Sequence, residues 1–453
     1  MRELAEIVCD PDLARVFEHG WQSWSPAGTH PATGTSPRPE RPLWQTMAYR
    51  PGRPGPEEGF QGEGLLAVDP GDGGAVRIFA APDPGSEVAS IRARTAAGRV
   101  VVSADGEVEV AEHAHLEGGL ADWAERLAER AGARPAAPLG PAWCSWYCYW
   151  HEVTAANVEE NLAAIDDLGL DIAIVQVDDG WQAEIGDWLE PSPRFGDLTG
   201  LAARIRSTGR RAGIWLAPFL AGGRSLLVRR HPEWLVGGAD AGRNWGQALF
   251  ALDVTHPGAA AYLQDVFRRL SELGFDYFKI DFLYAGALEG RRHQQASALD
   301  AYRDGLLTIR SAVGPGATLL GCGAPLLPSV GLVDAMRISP DISPHYEPLE
   351  GDVSQPSGRG ALMAGRARAF QHARLWVSDP DCLLARPQME RREEWAAHVA
   401  AIGGLAASSD PLRTLDAWGV ETTRRLLRPS TRHCARHERS SARWAWNSGI
   451  GSS

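Results

Sequence analysis

From Pro141 onward the chain alternates short apolar runs with longer amphipathic stretches. Eight runs read as strands: Trp143–Tyr149, Ile172–Val177, Ala212–Ala217, Phe275–Tyr284, Thr318–Cys322, Asp334–Ile338, Leu375–Val377 and Leu405–Ala407. Runs such as Ile172–Val177 are apolar throughout, as expected of strands covered on both faces. Helical periods fall between them. Thr154–Gly169 starts on an N-cap threonine with Asn157 in the first turn, turns Val158, Leu162 and Ile165 inward, and ends on a glycine. Tyr262, Val266, Phe267, Leu270 and Leu273 line one face of another helix, closed by Gly274. Leu198–Gly209 and Gln294–Val313 follow the same pattern, as do stretches near Ala361–His372, Met389–Ile402 and Leu415–Leu427. Strand–helix alternation by itself also allows an open doubly wound sheet. Eight strands in about 290 residues favour a (β/α)8 TIM barrel, whose typical size is ~250 residues.

Residues 1–132 differ. They are rich in Gly and Pro, and their apolar runs are short. Val100 and Val102, then Val108 and Val110 after Asp105-Gly106, alternate as a β-hairpin would. The region reads as a small, mostly β, sandwich-like domain with a helix over Leu120–Ala131. Residues 133–141 form a Pro-rich linker, 142–428 the barrel, and 429–453 an irregular tail rich in Arg, Ser and His. The tail also reads as GC-rich sequence in a shifted frame, a hypothesis that the mass of the natural product tests.

The net charge of -12 argues against nucleic acid or an anionic membrane surface as partner. No window is long and apolar enough to span a bilayer. The charged N-terminus carries no signal-length apolar run, and six scattered Cys without a Cys-x-x-Cys pair fit reduced thiols. The expectation is a cytoplasmic protein. Subunit number is open, a homo-oligomer included. Seventeen Trp supply flat apolar faces with one donor each, which suit sugar rings, although most belong in cores.

In a barrel, function sits at the carboxyl ends of the strands. Those ends carry Trp146, Asp178, Asp179, Trp181, Trp215, Lys279, Asp281, Cys322, Arg337, Asp341, Asp379, Asp381 and Asp410. Histidine is nearly absent, and His113 and His115 precede the barrel, which argues against a metal-dependent hydrolase. No Walker loop, dinucleotide fingerprint or Gly-x-Ser-x-Gly elbow occurs. The expectation is no metal and no cofactor.

Paired carboxylates in a Trp-lined mouth point to glycoside cleavage. Asp281 is the expected nucleophile, because Lys279, two residues away on the same strand face, favours its ionised form. A structural Lys279–Asp281 ion pair is the plainer reading. Asp341 is the expected acid, since a negative Asp281 nearby raises its pKa. Arg337, four residues before Asp341, either tunes it, grips a hydroxyl or pairs with Asp334. Asp178 and Asp179 repel each other unless sugar hydroxyls or a metal relieve them. Cys322 is small enough to leave room for a sugar.

These residues sit in ordered stretches. They are His19-Gly-Trp-Gln-Ser-Trp-Ser25, Trp143-Cys-Ser-Trp-Tyr147, Gln176-Val-Asp-Asp-Gly-Trp-Gln182, Gly213-Ile-Trp-Leu-Ala-Pro-Phe219, Lys279-Ile-Asp281, Gly321-Cys-Gly323, Arg337-Ile-Ser-Pro-Asp341 and Ser378-Asp-Pro-Asp-Cys382. In this order the chain, up to about Pro429, resembles a bacterial α-galactosidase of glycoside hydrolase family 36, in the clan that includes family 27. The resemblance implies an α/β fold with a catalytic (β/α)8 barrel. It also implies retention of configuration, with Asp281 as nucleophile and Asp341 as acid/base. Asp178, Asp179, Lys279, Cys322, Arg337, Trp146 and Trp215 would line the terminal-sugar pocket, with Trp181 in the same motif. A tryptophan of the N-terminal domain, Trp21 or Trp24, would reach that pocket. Members usually carry a larger N-terminal β-sandwich and a small C-terminal β domain. Here the first is short, and the expectation is that the second is missing. The implied partners are α-galactoside oligosaccharides. Close rivals are an α-N-acetylgalactosaminidase or an α-galactosyl transferase on the same site. A rival from another class is a sugar-binding protein without turnover.

Overall fold

The computed structural model describes residues 1–39, 45–133 and 138–428. The tail 429–453 and residues 134–137 of the expected linker 133–141 lie outside the described residues.

Eight parallel strands form one sheet: Ala142–Cys144, Ile174–Val177, Arg211–Leu216, Phe275–Ile280, Thr318–Gly321, Ala335–Arg337, Val377–Asp379 and Ala407–Ser408. Strand one pairs with strand two on one side and with strand eight on the other, Ala142 opposite Ala407. Near strand seven, the Leu405 N–H donates to the Ser378 carbonyl at 2.9 Å, which brings the last strand round to the seventh. This is the expected (β/α)8 barrel, carried with an N-terminal β region. Helices cover the outside, as in Ala155–Asp167, where Thr154 and Asn157 form a reciprocal capping box. Among the described residues no helix is long and apolar enough to cross a membrane.

The fourth strand stops at Ile280 instead of Tyr284, and the seventh and eighth lie at Val377–Asp379 and Ala407–Ser408, past the expected Leu375–Val377 and Leu405–Ala407. Three further elements depart from the periodicity. The first strand stops at Cys144, and Trp146–Tyr149 is a single helical turn instead of strand. The Tyr147 N–H is taken by the Ser409 hydroxyl at 2.8 Å, so the chain turns across the barrel mouth there. The Arg99–Val110 hairpin does not form. Arg99–Ala104 pairs with Ser90–Ala96, around Ala97 and Gly98 at φ 48° and 72°. Two consecutive positive φ values match the twist of a two-residue hairpin. Asp105-Gly106 instead begins the crossing to a second sheet, where Glu109–His113 pairs with Val76–Ala80. The two antiparallel sheets share one core, including Val16, Phe60, Leu66, Phe79, Ile91 and Val100. Third, the connection after strand three folds into a small antiparallel sheet: Leu220–Gly222, Gln247–Ala251 and Arg243–Asn244. No alternation in the sequence announces it, because its strands are two to five residues long.

The N-terminal region docks on the barrel through the segment 19–25. Arg368, fully buried, donates to the backbone carbonyls of Gln22, Ser23, Ser25 and Ile338 at 2.8 to 3.1 Å. Burial pulls its guanidinium down to about 9.

Candidate active site

Asp281 follows the last residue of strand four, and the Asp281 N–H donates to the Leu216 carbonyl of strand three at 2.8 Å. Its carboxylate accepts two hydrogen bonds. The Trp215 indole N–H reaches Oδ2 at 3.0 Å, and the Phe282 N–H reaches Oδ1 at 2.7 Å. Phe282 has φ 51°, and that left-handed step aims its N–H back at the carboxylate.

Lys279 does not form the plainer reading's ion pair with Asp281. Its Nζ donates to Asp178 Oδ2 at 3.0 Å, across the barrel to the end of strand two. Burial disfavours the ammonium, yet the Asp178 and Asp281 charges outweigh burial and hold its pKa well above the usual range. Lys279 therefore acts on Asp281 as a nearby charge, and the direct donors are Trp215 and Phe282.

Asp178 and Asp179 are each supported by the protein. Asp178 also accepts from Gln176 Nε2 at 2.5 Å and from the Asp179 N–H at 3.0 Å. Asp179 accepts from Gln182 Nε2 at 2.6 Å and from the Trp245 indole at 2.7 Å. Burial raises the Asp179 pKa, and those two donors pull it back. Lysine, glutamine and indole thus relieve the repulsion expected between the two carboxylates, with capacity left on each for a hydroxyl donor. Among the described residues no group of three or more His, Cys, Asp or Glu could hold a metal ion.

The Asp341 side of the mouth is built on Arg337, at the end of strand six. All three guanidinium nitrogens are used: Nη1 on Asp341 at 2.9 Å, Nε on Asp379 at 3.0 Å and Nη2 on Asp381 at 2.9 Å. Asp334 pairs with Arg310 instead, which removes the alternative Arg337–Asp334 bridge. Asp381 is saturated by Arg337, the Tyr147 hydroxyl at 2.6 Å and the Ile342 and Cys382 N–H groups. Burial pushes the Asp341 carboxyl up to about 7, with the Asp381 and Asp281 charges adding and Arg337 and Lys279 opposing. Cys322 follows strand five, wholly buried, its thiol raised well above the usual range by burial and by Asp281. The Asp281 charge contributes to raising both the Asp341 carboxyl and the Cys322 thiol.

The aromatic residues divide into wall and support. Trp215 touches Asp281 directly. Trp181 is 1% exposed, packs on Trp188 and donates to the Trp215 carbonyl at 2.8 Å, so it holds the Trp215 strand from behind. Trp146 is half-buried on its helical turn at the mouth. Trp24 stands edge-on to Phe282 at 5.0 Å. A Cβ on Gly323, at φ 52°, would lie 2.7 Å from the Trp24 ring, so that position requires glycine. The Trp24 Nε1 is buried without a partner among the described residues. Trp21 instead lies under Arg50 at 5.0 Å and lines a small cavity with Glu18, Tyr49 and Glu63. Of the two, Trp24 meets the residues that follow Asp281 and Cys322.

Sequence reasoning did not single out Trp245 or assign a role to Asp379 and Asp381. Trp245 sits at φ 49° on the tip of the small antiparallel sheet, 66 residues from its partner Asp179. No spacing rule spans that distance. The Ser378-Asp-Pro-Asp-Cys382 stretch was a visible signal for the other two.

Residues 141–304 match the family model named Melibiase. The chain is 28% identical over 164 residues to a probable alpha-galactosidase C of Aspergillus flavus, covering 32% of this chain and 21% of that protein. The chain thus spans about a fifth of the length of the curated relatives it matches. Among solved structures, the alpha-galactosidase TtGalA from Thermus thermophilus in complex with stachyose is 30% identical, with a TM-score of 0.78. That match covers 94% of this chain and 93% of the Thermus chain. The GH36 alpha-galactosidase AgaA of Geobacillus stearothermophilus shares the fold at 14% identity, with a TM-score of 0.64 and 93% and 61% coverage.

Proposed function

Because the chain belongs to the melibiase family of GH36-type α-galactosidases, we propose that it is a retaining, exo-acting α-galactosidase. It removes terminal α-D-galactosyl residues from oligosaccharides by double displacement, with Asp281 as nucleophile and Asp341 as acid/base. The observation that carries this reading is the contrast between the two carboxyls. Asp281 accepts hydrogen bonds from an indole and a backbone N–H, which hold both carboxylate oxygens in place. Asp341 is pushed up to about 7 by burial and neighbouring negative charge, so it carries a proton at neutral pH for part of the time.

Asp281 attacks the anomeric carbon while Asp341 gives its proton to the glycosidic oxygen. The leaving sugar departs as an alcohol, and a galactosyl ester remains on Asp281. The ester carries no charge, so one source of the raised Asp341 pKa disappears. Asp341, now ionised, takes a proton from water as the water oxygen attacks the anomeric carbon. Asp281 leaves as a carboxylate, and galactose is released with its configuration retained. A retaining pair requires carboxyl oxygens roughly 5–5.5 Å apart. Asp178, Asp179 and Lys279 read the hydroxyls of the bound galactose, and the stachyose complex of the Thermus enzyme supports an oligosaccharide substrate.

The test is trapping with 2-deoxy-2-fluoro-α-galactosyl fluoride followed by peptide mapping. A fluorogalactosyl ester on Asp281 supports the reading, and a label on any other residue overturns it. Nitrophenyl α-galactoside and α-N-acetylgalactosaminide, with and without sugar acceptors, distinguish hydrolysis of galactose from the two close rivals. Binding of galactose with turnover of neither glycoside would make the chain a sugar-binding protein.

A further inference from the structure

The indoles around Asp281 are enclosed: Trp181, Trp188 and Trp215 are 1–2% exposed. Trp150 is 44% exposed, and it stands on the same face of the fold, just after the helical turn that ends strand one. Its backbone is at φ 51° and ψ -148°, a region that residues other than glycine rarely occupy. An aromatic side chain held there without being buried asks for a reason outside stability.

The loop that holds it is tied to its neighbours. The Trp150 N–H bonds the Trp146 carbonyl. Arg194 donates to the His151 carbonyl at 2.6 Å and to Glu152 at 2.7 Å. Gly180, at φ 114° beside Asp179, lies so close that a Cβ would come within 2.6 Å of the same His151 carbonyl. The Trp150 ring meets Trp146 edge-on at 4.8 Å and Tyr147 at 5.5 Å. The Tyr147 hydroxyl donates to Asp381, which shares the Arg337 guanidinium with Asp341. Trp150 is therefore tied through Tyr147 to the side of the mouth where the proton donor stands.

We propose that Trp150 is the stacking platform for the sugar on the leaving-group side of the scissile bond, and so sets the preference for oligosaccharide over small leaving groups. The inference rests on the galactosidase reading above. The acid must face the oxygen that joins galactose to its leaving group, so the next pyranose ring emerges on the Asp341 side. A flat indole with an open face offers that ring an apolar surface to stack on. Among the described residues Trp150 stays 44% exposed, and a loop already tied by hydrogen bonds loses less freedom on binding.

The experiment compares raffinose with α-galactosyl fluoride, whose leaving group has no ring to stack. The wild-type rate on the fluoride tests the galactosidase reading. The raffinose-to-fluoride ratio of kcat/KM tests Trp150. In Trp150→Ala that ratio falls roughly tenfold or more, and Trp150→Phe restores most of it. Trp150→Gly, which suits the backbone, serves if the alanine variant does not fold. A ratio unchanged in Ala and Gly variants, or equal losses on both substrates, overturns the proposal. A wild type inactive on both substrates overturns the galactosidase reading and this inference with it.

Discussion

Arg337 Nη1 donates to Asp341 Oδ1 at 2.9 Å while the same guanidinium holds Asp379 and Asp381. One buried cation thus balances three carboxylates, and the balance is incomplete at Asp341, whose pKa remains raised to about 7. A general acid must begin protonated. As pH rises through about 7, that proton is lost, so kcat/KM of the wild type should fall on the alkaline side with an apparent pKa near 7. A pH profile on raffinose checks this, and a flat profile to pH 9 would contradict it.

Arg337→Gln removes the charge that opposes the raised pKa of Asp341. The alkaline limb should move to higher pH. The same change leaves buried carboxylates without their cation, at a cost of about 3–5 kcal/mol. Urea unfolding and the pH profile of the surviving enzyme measure the two effects separately.

Asp281→Ala should abolish turnover of every α-galactoside, since no group remains to form the ester. Asp341→Ala should lose the general-acid contribution, roughly 10²–10⁴-fold, on oligosaccharides and much less on nitrophenyl galactoside. Ordinary activity in Asp281→Ala would refute the assignment.

Trp215→Phe keeps an aromatic ring, smaller than the indole, and deletes the donor to Asp281 Oδ2. A hydrogen bond to a charged group contributes about 1.5–3 kcal/mol, so kcat should fall roughly 10- to 100-fold. Trp215 is a positioning residue for Asp281, so the alkaline limb of the profile, which belongs to Asp341, should not move.

Arg368→Met leaves the carbonyls of Gln22, Ser23, Ser25 and Ile338 without their donor. Two or more unsatisfied buried groups cost about 3 kcal/mol together. The melting temperature should drop, and loss of order at Trp24 should show in tryptophan fluorescence before the barrel unfolds.

The eight-stranded barrel was legible because most of its strands lie in or beside apolar runs between helical periods, and such runs need no distant partner to be seen. The hairpin at Asp105-Gly106 was misread for the converse reason. Val110 alternates correctly but is half exposed on the outer face of another sheet, and alternation does not say which sheet a strand joins.

The candidate site divides along the same line. The sequence by itself determined which carboxylates stand at strand ends, because a parallel barrel puts every strand end on one face. Only the tertiary structure decided their partners. Lys279 chose Asp178 from 101 residues away instead of Asp281 from two, Trp245 reached Asp179 across 66, and Tyr147 reached Asp381 across 234. Local spacing sets the direction in which a side chain leaves the backbone. The donor it meets there depends on how the barrel closes, and closure is a property of the whole chain.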